Sequence, residues 1–299
     1  MPSNRIFIHS AAQISVQKPL CEEWMAEPIV CNESYMRSQD PDFKLFMSPM
    51  QSRRMSLILK RAAAVSLTAL RDAGLENPEA IFTGTGLGCM ENTENFLSAM
   101  RSDGEEMLPP TYFMMSTHNT ISSAVAIMLH CHGRNCTYSH KDISFESALL
   151  DAFLQLSSGR IANALVGAHD ETTPTTYELL KGSGYINEGV SAAEASSAFV
   201  LSVSSDPSAG LVPLCELADV RIFHSPKNLE TIVNEYHASR VIRSTDYFQL
   251  FGKCFSTSGL GTYEAAIRLS KGLDNDILVV NDAGEDVGLV YLKSVCGDC

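Results

Sequence analysis

The chain has 299 residues, 45% of them hydrophobic, and carries a formal net charge of −13. That is enough apolar material for a sizeable buried core, yet no uninterrupted apolar run reaches the roughly 18 residues that a membrane-spanning helix needs. The negative charge argues against nucleic acid and anionic membranes as partners, because phosphate binding needs clustered positive charge.

The first residues lack the basic-then-apolar layout of a secretory signal, so a cytoplasmic location is expected. Residues 4–9 read as a first strand, and residues 15–50 as an irregular excursion. Ser52 precedes a long helical pattern in which Met55, Ile58, Leu59, Ala62, Val65, Ala69 and Leu70 recur at three- and four-residue steps. Gly74 stands where a helix C′ glycine belongs. Arg53, Arg54, Lys60 and Arg61 form one basic cluster on this helix. It reads as a solvated face, with docking of an acidic carrier protein as the sharper alternative. Residues 80–84 form a short strand that runs into Gly84-Thr-Gly-Leu-Gly88. No Lys-Ser/Thr follows, so these glycines predict a tight strand-to-helix turn rather than a phosphate loop.

Residues 119–130 predict a buried helix stopped by Gly133, and residues 135–139 a strand. Phe145, Ala148, Leu149, Ala152, Phe153 and Leu156 share the face of a second buried helix, closed by Gly159. Strands are expected at 163–168 and 197–203. Residues 206–210 look like a surface turn between halves, so the expected organisation is one domain over 1–299 with halves 1–205 and 211–299. A helix over 263–269 follows a glycine loop, and 277–280 pairs with 288–292 about a turn at Asp282. Strands alternating with helices imply an α/β fold.

Nine cysteines at irregular spacing predict free thiols rather than a disulfide framework. Cys296 and Cys299 form a lone C-x-x-C at the C-terminal end of the sequence. A structural zinc site would need two more ligands, and a frayed tail is the plainer reading.

In order along the chain, these segments resemble the β-ketoacyl synthase family. Ser52-Arg-Arg-Met-Ser56 and the helix ending Ala69-Leu-Arg-Asp-Ala-Gly74 are similar to its first long helix. Gly84-Thr-Gly-Leu-Gly88 resembles its glycine turn, and Gly133-Arg-Asn-Cys-Thr137 the lead-in to its nucleophile. Gly159-Arg-Ile-Ala-Asn-Ala-Leu-Val-Gly-Ala-His-Asp-Glu171 and Ala193-Glu-Ala-Ser-Ser-Ala-Phe-Val-Leu201 resemble the strands that follow. Gly252-Lys-Cys-Phe255 and Gly259-Leu-Gly-Thr-Tyr-Glu-Ala-Ala266 resemble the lysine loop and its glycine helix. The resemblance implies a thiolase-like, five-layered αβαβα fold, with two sheets around two buried helices, one starting near Ser144. Neither cofactor nor metal is implied.

The departures from the family pattern fall on the chemistry. Threading places Asp142 where the family carries the cysteine that holds an acyl group as a thioester. An aspartate there could form only a hydrolysis-prone mixed anhydride. The first family histidine lies in a His-Gly-Thr motif that is absent here, and His237 is the nearest candidate. The second should follow Lys253 by a few residues, where Ser256, Thr257 and Ser258 stand. Those histidines stabilise the enolate and oxyanion of decarboxylative condensation. Of the family set, Lys253 remains.

This pattern resembles the chain-length-factor subunits, which pair with a true ketosynthase, and among them a short branch in aryl-polyene and related pathways. The implied partner is a ketosynthase in a heterodimer, with a homodimer as the alternative and acyl carrier protein engaged indirectly. The strand at 135–139 is the expected dimer edge. Asp142 itself reads first as a helix cap, then as an anion that primes a partner subunit, then as a direct catalyst. Cys131 and Cys136 read as core thiols, Cys254 as a thiol whose pKa Lys253 could lower, and His140 and His169 as polar groups flanking the site. A complete acyltransferase or hydrolase using Asp142 with one of the histidines, and a homodimeric acyl-chain-binding protein, are the competing readings.

Overall fold

The computed structural model describes residues 4–104, 108, 110–203, 212–282 and 284–295. In chain order the elements are β1 (Phe7–Ile14), α1 (Pro49–Ser52), α2 (Leu57–Asp72), β2 (Ala80–Gly84), α3 (Met90–Asp103), α4 (Pro110–Met115), α5 (Thr120–Met128), β3 (Arg134–Tyr138), α6 (Ser144–Ser157), β4 (Asn163–Asp170) and α7 (Pro174–Gly182). They continue with β5 (Ala195–Ser202), β6 (Cys215–His224), α8 (Leu229–Glu235), β7 (Arg240–Arg243), α9 (Ser244–Phe251), α10 (Thr257–Ser270), β8 (Asp276–Asn281) and β9 (Asp286–Lys293). Among the described residues no helix is long and apolar enough to cross a membrane. The expected turn at 206–210 and the Cys296/Cys299 pair lie outside the described residues.

Among the described residues nine strands run in the order β3-β2-β4-β5-β1-β6-β9-β8-β7. Their ladder has two halves, joined where β1 meets β6 through just Phe7↔Glu216 and Ile8↔Cys215. Strand alternation distributes the side chains to two faces. Phe82, Val166 and Phe199 of the first half, with Ile277, Val279 and Val290 of the second, share one core with Phe145, Leu149 and Leu156 of α6 and Leu260 and Ile267 of α10. Their neighbours Ile81, Leu165 and Val200 turn the other way, against α2 and α5. Leu278, Val280 and Leu289 likewise turn outward to meet Val233 of α8. Helix layer, half-sheet, central helix pair, half-sheet and helix layer make a five-layered αβαβα sandwich. The central pair is α6 and α10.

The periodic helix at 55–70 is α2, but it begins at Leu57 after the separate single turn of α1. It ends in a Schellman motif: Leu75 N donates to Leu70 O, Gly74 N to Arg71 O, and Gly74 has φ 60°. Arg61 is not part of an exposed basic face. It is buried, with its guanidinium bonded to Asp40 (2.6 Å) and Glu194 (2.9 Å).

Two segments were underestimated from sequence. The first strand runs to Ile14, beyond the polar Ser10 and Gln13, because β5 covers it on one side. The helix expected at 263 starts at Thr257, so the glycine loop is the first turns of α10. A Cβ at Gly259 would lie 2.6 Å from Ser197 Oγ, and one at Gly261 2.5 Å from the Tyr247 ring. These glycines let a central helix press against β5 and α9; they do not break it.

Candidate functional site

β3 leads through residues 139–143 into α6, and the turn is sharp. Lys141 has φ 48°, a left-handed conformation uncommon for a side chain of its size. It leaves Asp142 one residue later at the mouth of the central helix. Ser144 Oγ accepts from His140 N at 2.8 Å, and a Cβ at Gly84 would strike Ser144 O at 2.5 Å. The tightness of this strand-to-helix passage is thus built into the backbones of β2 and α6.

Asp142 does not cap α6. Its Oδ1 accepts from the Tyr185 hydroxyl at 2.5 Å, and its backbone O accepts from Asn281 Nδ2 at 2.7 Å. Burial raises its carboxyl to about 6, partly offset by Tyr185 and by the charge of Lys253, while Asp170 adds to the rise. Lys253, on the stretch between α9 and α10, donates to Tyr185 O at 2.8 Å and lies 4.0 Å from the centre of the Tyr185 ring. The ring stacks on Phe255 at 4.3 Å. Asp142, Tyr185 and Lys253 line one cleft of about 750 Å³, with Phe248 and Phe255 as aromatic wall and Asp282, Glu285 and Asp286 on its rim.

Tyr185 was not singled out from sequence. Nothing local marks it; its segment, between α7 and β5, reaches the site by topology alone. Gly184 and Asn187 of that segment also line a second cleft of about 630 Å³, with Cys31 and Lys181.

Behind Asp142, one helical turn on, Glu146 is fully buried and its carboxyl is pushed up by burial to about 7, against favourable contributions from its own backbone, Ser258 and Asn281. Asn281 Nδ2 donates to its Oε1 at 3.0 Å. Ser258 is close enough to favour the ionised carboxylate, yet neither its hydroxyl nor Glu146 Oε2 makes a hydrogen bond of ordinary geometry among the described residues. Gly288 makes room for this carboxyl, since a Cβ there would lie 2.5 Å from Glu146 Cγ.

The glycine turn is filled by the protein itself. Asp170, at the end of β4, accepts from Gly86 N at 3.0 Å, Leu87 N at 3.1 Å, Thr85 Oγ1 at 3.0 Å and the Ser256 hydroxyl. The backbone donors that could have met a phosphate are taken.

The other candidates are not assembled here. His237 is exposed, just past α8, and does not line the cleft. His169 is buried against Ser196 Oγ at 2.6 Å, and burial lowers it to about 3, so it stays neutral. His140 lines the cleft but is mostly exposed, 3.4 Å from Asp286. Cys254 is buried, and desolvation pushes its thiol up despite the adjacent lysine. Cys131 and Cys136 are partly buried beside the outer and central cores. Among the described residues no group of three His, Cys, Asp or Glu side chains is placed to hold a metal ion.

By sequence alone, no curated protein matches the chain. Among solved structures, it superposes on one chain of the structure described as a type II polyketide synthase acyl-carrier protein in complex with its ketosynthase bound to the hexaketide, with TM-score 0.83 and 14% identity over 98% of this chain and 100% of that one. The ishigamide ketosynthase/chain length factor gives 0.80 and 14% over the same shares. A β-ketoacyl synthase from Burkholderia phymatum STM815 gives 0.78 and 11%, again over 98% and 100%. At these identities the likeness establishes the thiolase-like ketosynthase fold. The family described as "Beta-ketoacyl synthase, N-terminal domain" matches residues 22–229, more than half of the sequence. The chain belongs to the β-ketoacyl synthase family.

Proposed function

We propose that the chain is a non-condensing subunit of the chain-length-factor type, working beside a true ketosynthase in a fatty-acid or polyketide-type pathway such as aryl-polyene synthesis. One observation carries this reading. Asp142, which the family pattern puts at the nucleophile position, has its carboxyl bonded to Tyr185 in a cleft that His237 does not line. Ser256, Thr257 and Ser258 stand where the family pattern puts the second histidine, and all three are buried. A thiolate and two imidazoles cannot be supplied from these groups. On this reading the chain is a single cytoplasmic domain with halves 1–205 and 211–299, and the acyl carrier protein docks on the partner.

The partner edge would be β3, which ends the strand order. Thr85 N donates to Tyr138 O, so 134, 136 and 138 turn their backbone groups to β2. Residues 135 and 137 turn theirs outward, and exposed Ile127 and Leu154 flank the strand on α5 and α6. An open edge of this kind is a pairing site.

The test is co-expression with a ketosynthase encoded beside it, followed by pull-down and intact-mass analysis after incubation with acyl carrier protein or acyl-CoA. The expected outcome is a stable complex, lost on Thr137→Pro, with no acyl adduct on this chain. A covalent acyl group on any of its cysteines, or failure to retain any co-encoded synthase, overturns the reading.

A further inference from the structure

The Asp142 cleft contains a set of groups that a purely scaffolding subunit leaves idle. One oxygen of Asp142 is held by Tyr185 at 2.5 Å, and Oδ2 takes no hydrogen bond from another residue among those described. The Lys253 ammonium, on the same cleft, is anchored by one hydrogen bond to Tyr185 O at 2.8 Å and retains donors for a ligand. The cleft of about 750 Å³ falls within the few-hundred to ~1,000 Å³ range of small-molecule sites. Asp142 and Lys253 line one cleft without a direct ion pair, close enough for the lysine's charge to act on the carboxyl. A carboxylate and an ammonium so placed are the minimal pair for removing a proton next to a carbonyl, one group taking the proton and the other offsetting the charge that develops on oxygen. The flat Tyr185 and Phe255 rings suit a planar, conjugated enol.

We propose that Asp142 is a general base that enolises β-ketoacyl thioesters in this cleft, with Lys253 stabilising the enolate and Tyr185 as a positioning residue. Asp142 Oδ2 takes the proton from the carbon between the two carbonyls. The C–H electron pair becomes the C=C bond, and the carbonyl π pair moves onto oxygen beside the ammonium. Return of a proton, or of a deuteron from solvent, regenerates the thioester, so no oxidant or co-reactant is required. A base with affinity near 6 is matched to a carbon acidified by two carbonyls rather than one. No covalent acyl-enzyme is formed, and the partner synthase takes no part, so the proposal stands apart from the assembly reading.

The charged and titratable groups around Asp142 come from every side. Tyr185 and Lys253 bond or face it, and Asp170 at the end of β4 and Glu146 on α6 stand behind it. His140, Lys141, Asp282, Glu285 and Asp286 share the cleft. The rate should follow ionisation of Asp142, rising with pH through about 6 to a plateau.

The test uses the full chain with 2-methylacetoacetyl-N-acetylcysteamine in deuterated buffer, with loss of the α-proton followed by NMR between pH 5 and 8. The wild type should exchange it about 100-fold faster than buffer, within the usual range for general-base catalysis. Asp142→Asn should fall to the buffer rate while keeping its circular dichroism and melting point. Lys253→Met should lose most of the acceleration. Tyr185→Phe, which removes a donor to the ionised carboxylate, should move the pH midpoint upward, a change that a merely structural tyrosine would not cause. Exchange at the buffer rate in the wild type, or undiminished exchange in folded Asp142→Asn, overturns the proposal.

Discussion

Two carboxylates at the same end of the central layer are treated differently by the fold. Asp170 is buried and accepts from two backbone N–H groups and two hydroxyls, which tie β4 to the glycine turn and to the start of α10. Asp142 takes one side-chain hydrogen bond, from Tyr185, and faces a cleft. A carboxylate whose acceptor capacity is filled from within is a structural tie. One left with spare capacity beside a cation is where a ligand can be engaged. Sequence alone ranks the two the other way, since family position points to Asp142 and nothing points to Asp170.

The largest effect should come from the tie. Asp170→Ala removes the acceptor of the Gly86 and Leu87 N–H groups and of the Thr85 and Ser256 hydroxyls, and should lower stability by about 3 kcal/mol or more in urea unfolding. Equal losses from Asp142→Ala and Asp170→Ala would erase the distinction.

The next effect is pH dependence. Asp142, Glu146 and Glu171 are raised by burial to about 6, 7 and 7 from usual values of 3.8, 4.5 and 4.5. Their neutral forms favour the fold, so the folded protein binds more protons than the unfolded one between those limits. Stability should therefore rise as pH falls from about 7.5 to 5. His169, lowered to about 3, opposes this below 6.5, one imidazole against three carboxyls. Glu146→Gln keeps the amide-compatible contact with Asn281 and should flatten the slope of melting temperature against pH. A slope that is unchanged would mean that Glu146 is not the buried acid described here.

Smaller still is Tyr185→Phe, which removes one hydrogen bond and should cost about 1 kcal/mol while raising the Asp142 titration seen by carboxyl ¹³C NMR. An unmoved titration would separate Tyr185 from the site. The smallest expected effect is none: Asp142→Cys should gain no condensing activity in an acyl-carrier assay, because the change restores neither imidazole, and His237 lies outside the cleft. Restored condensation from that single change would collapse the non-condensing reading.

Much of the fold was legible because its signals are local or periodic. The three-to-four spacing from Ile58 to Leu70, the glycine at Gly74 and the apolar run from Phe145 to Leu156 each specify a helix or its end through backbone and burial preferences that a short segment carries by itself. α10 was shortened in that reading because Gly259 and Gly261 look like breakers when read alone. Their reason lies across the layer, in Ser197 and Tyr247, which leave no space for a Cβ.

By itself the sequence determined the αβαβα layering and the family, and it drew attention to Asp142, since composition, periodicity and ordered motifs are properties of segments. Tertiary structure decided the site. It buried Arg61 between Asp40 and Glu194, set His237 outside the cleft, filled the glycine turn with Asp170, and brought Tyr185 and Lys253 onto Asp142 from loops 43 and 111 residues further along. Hydrogen bonds and desolvation depend on distance in space, and chain-distant partners leave no periodic mark on the segments that supply them.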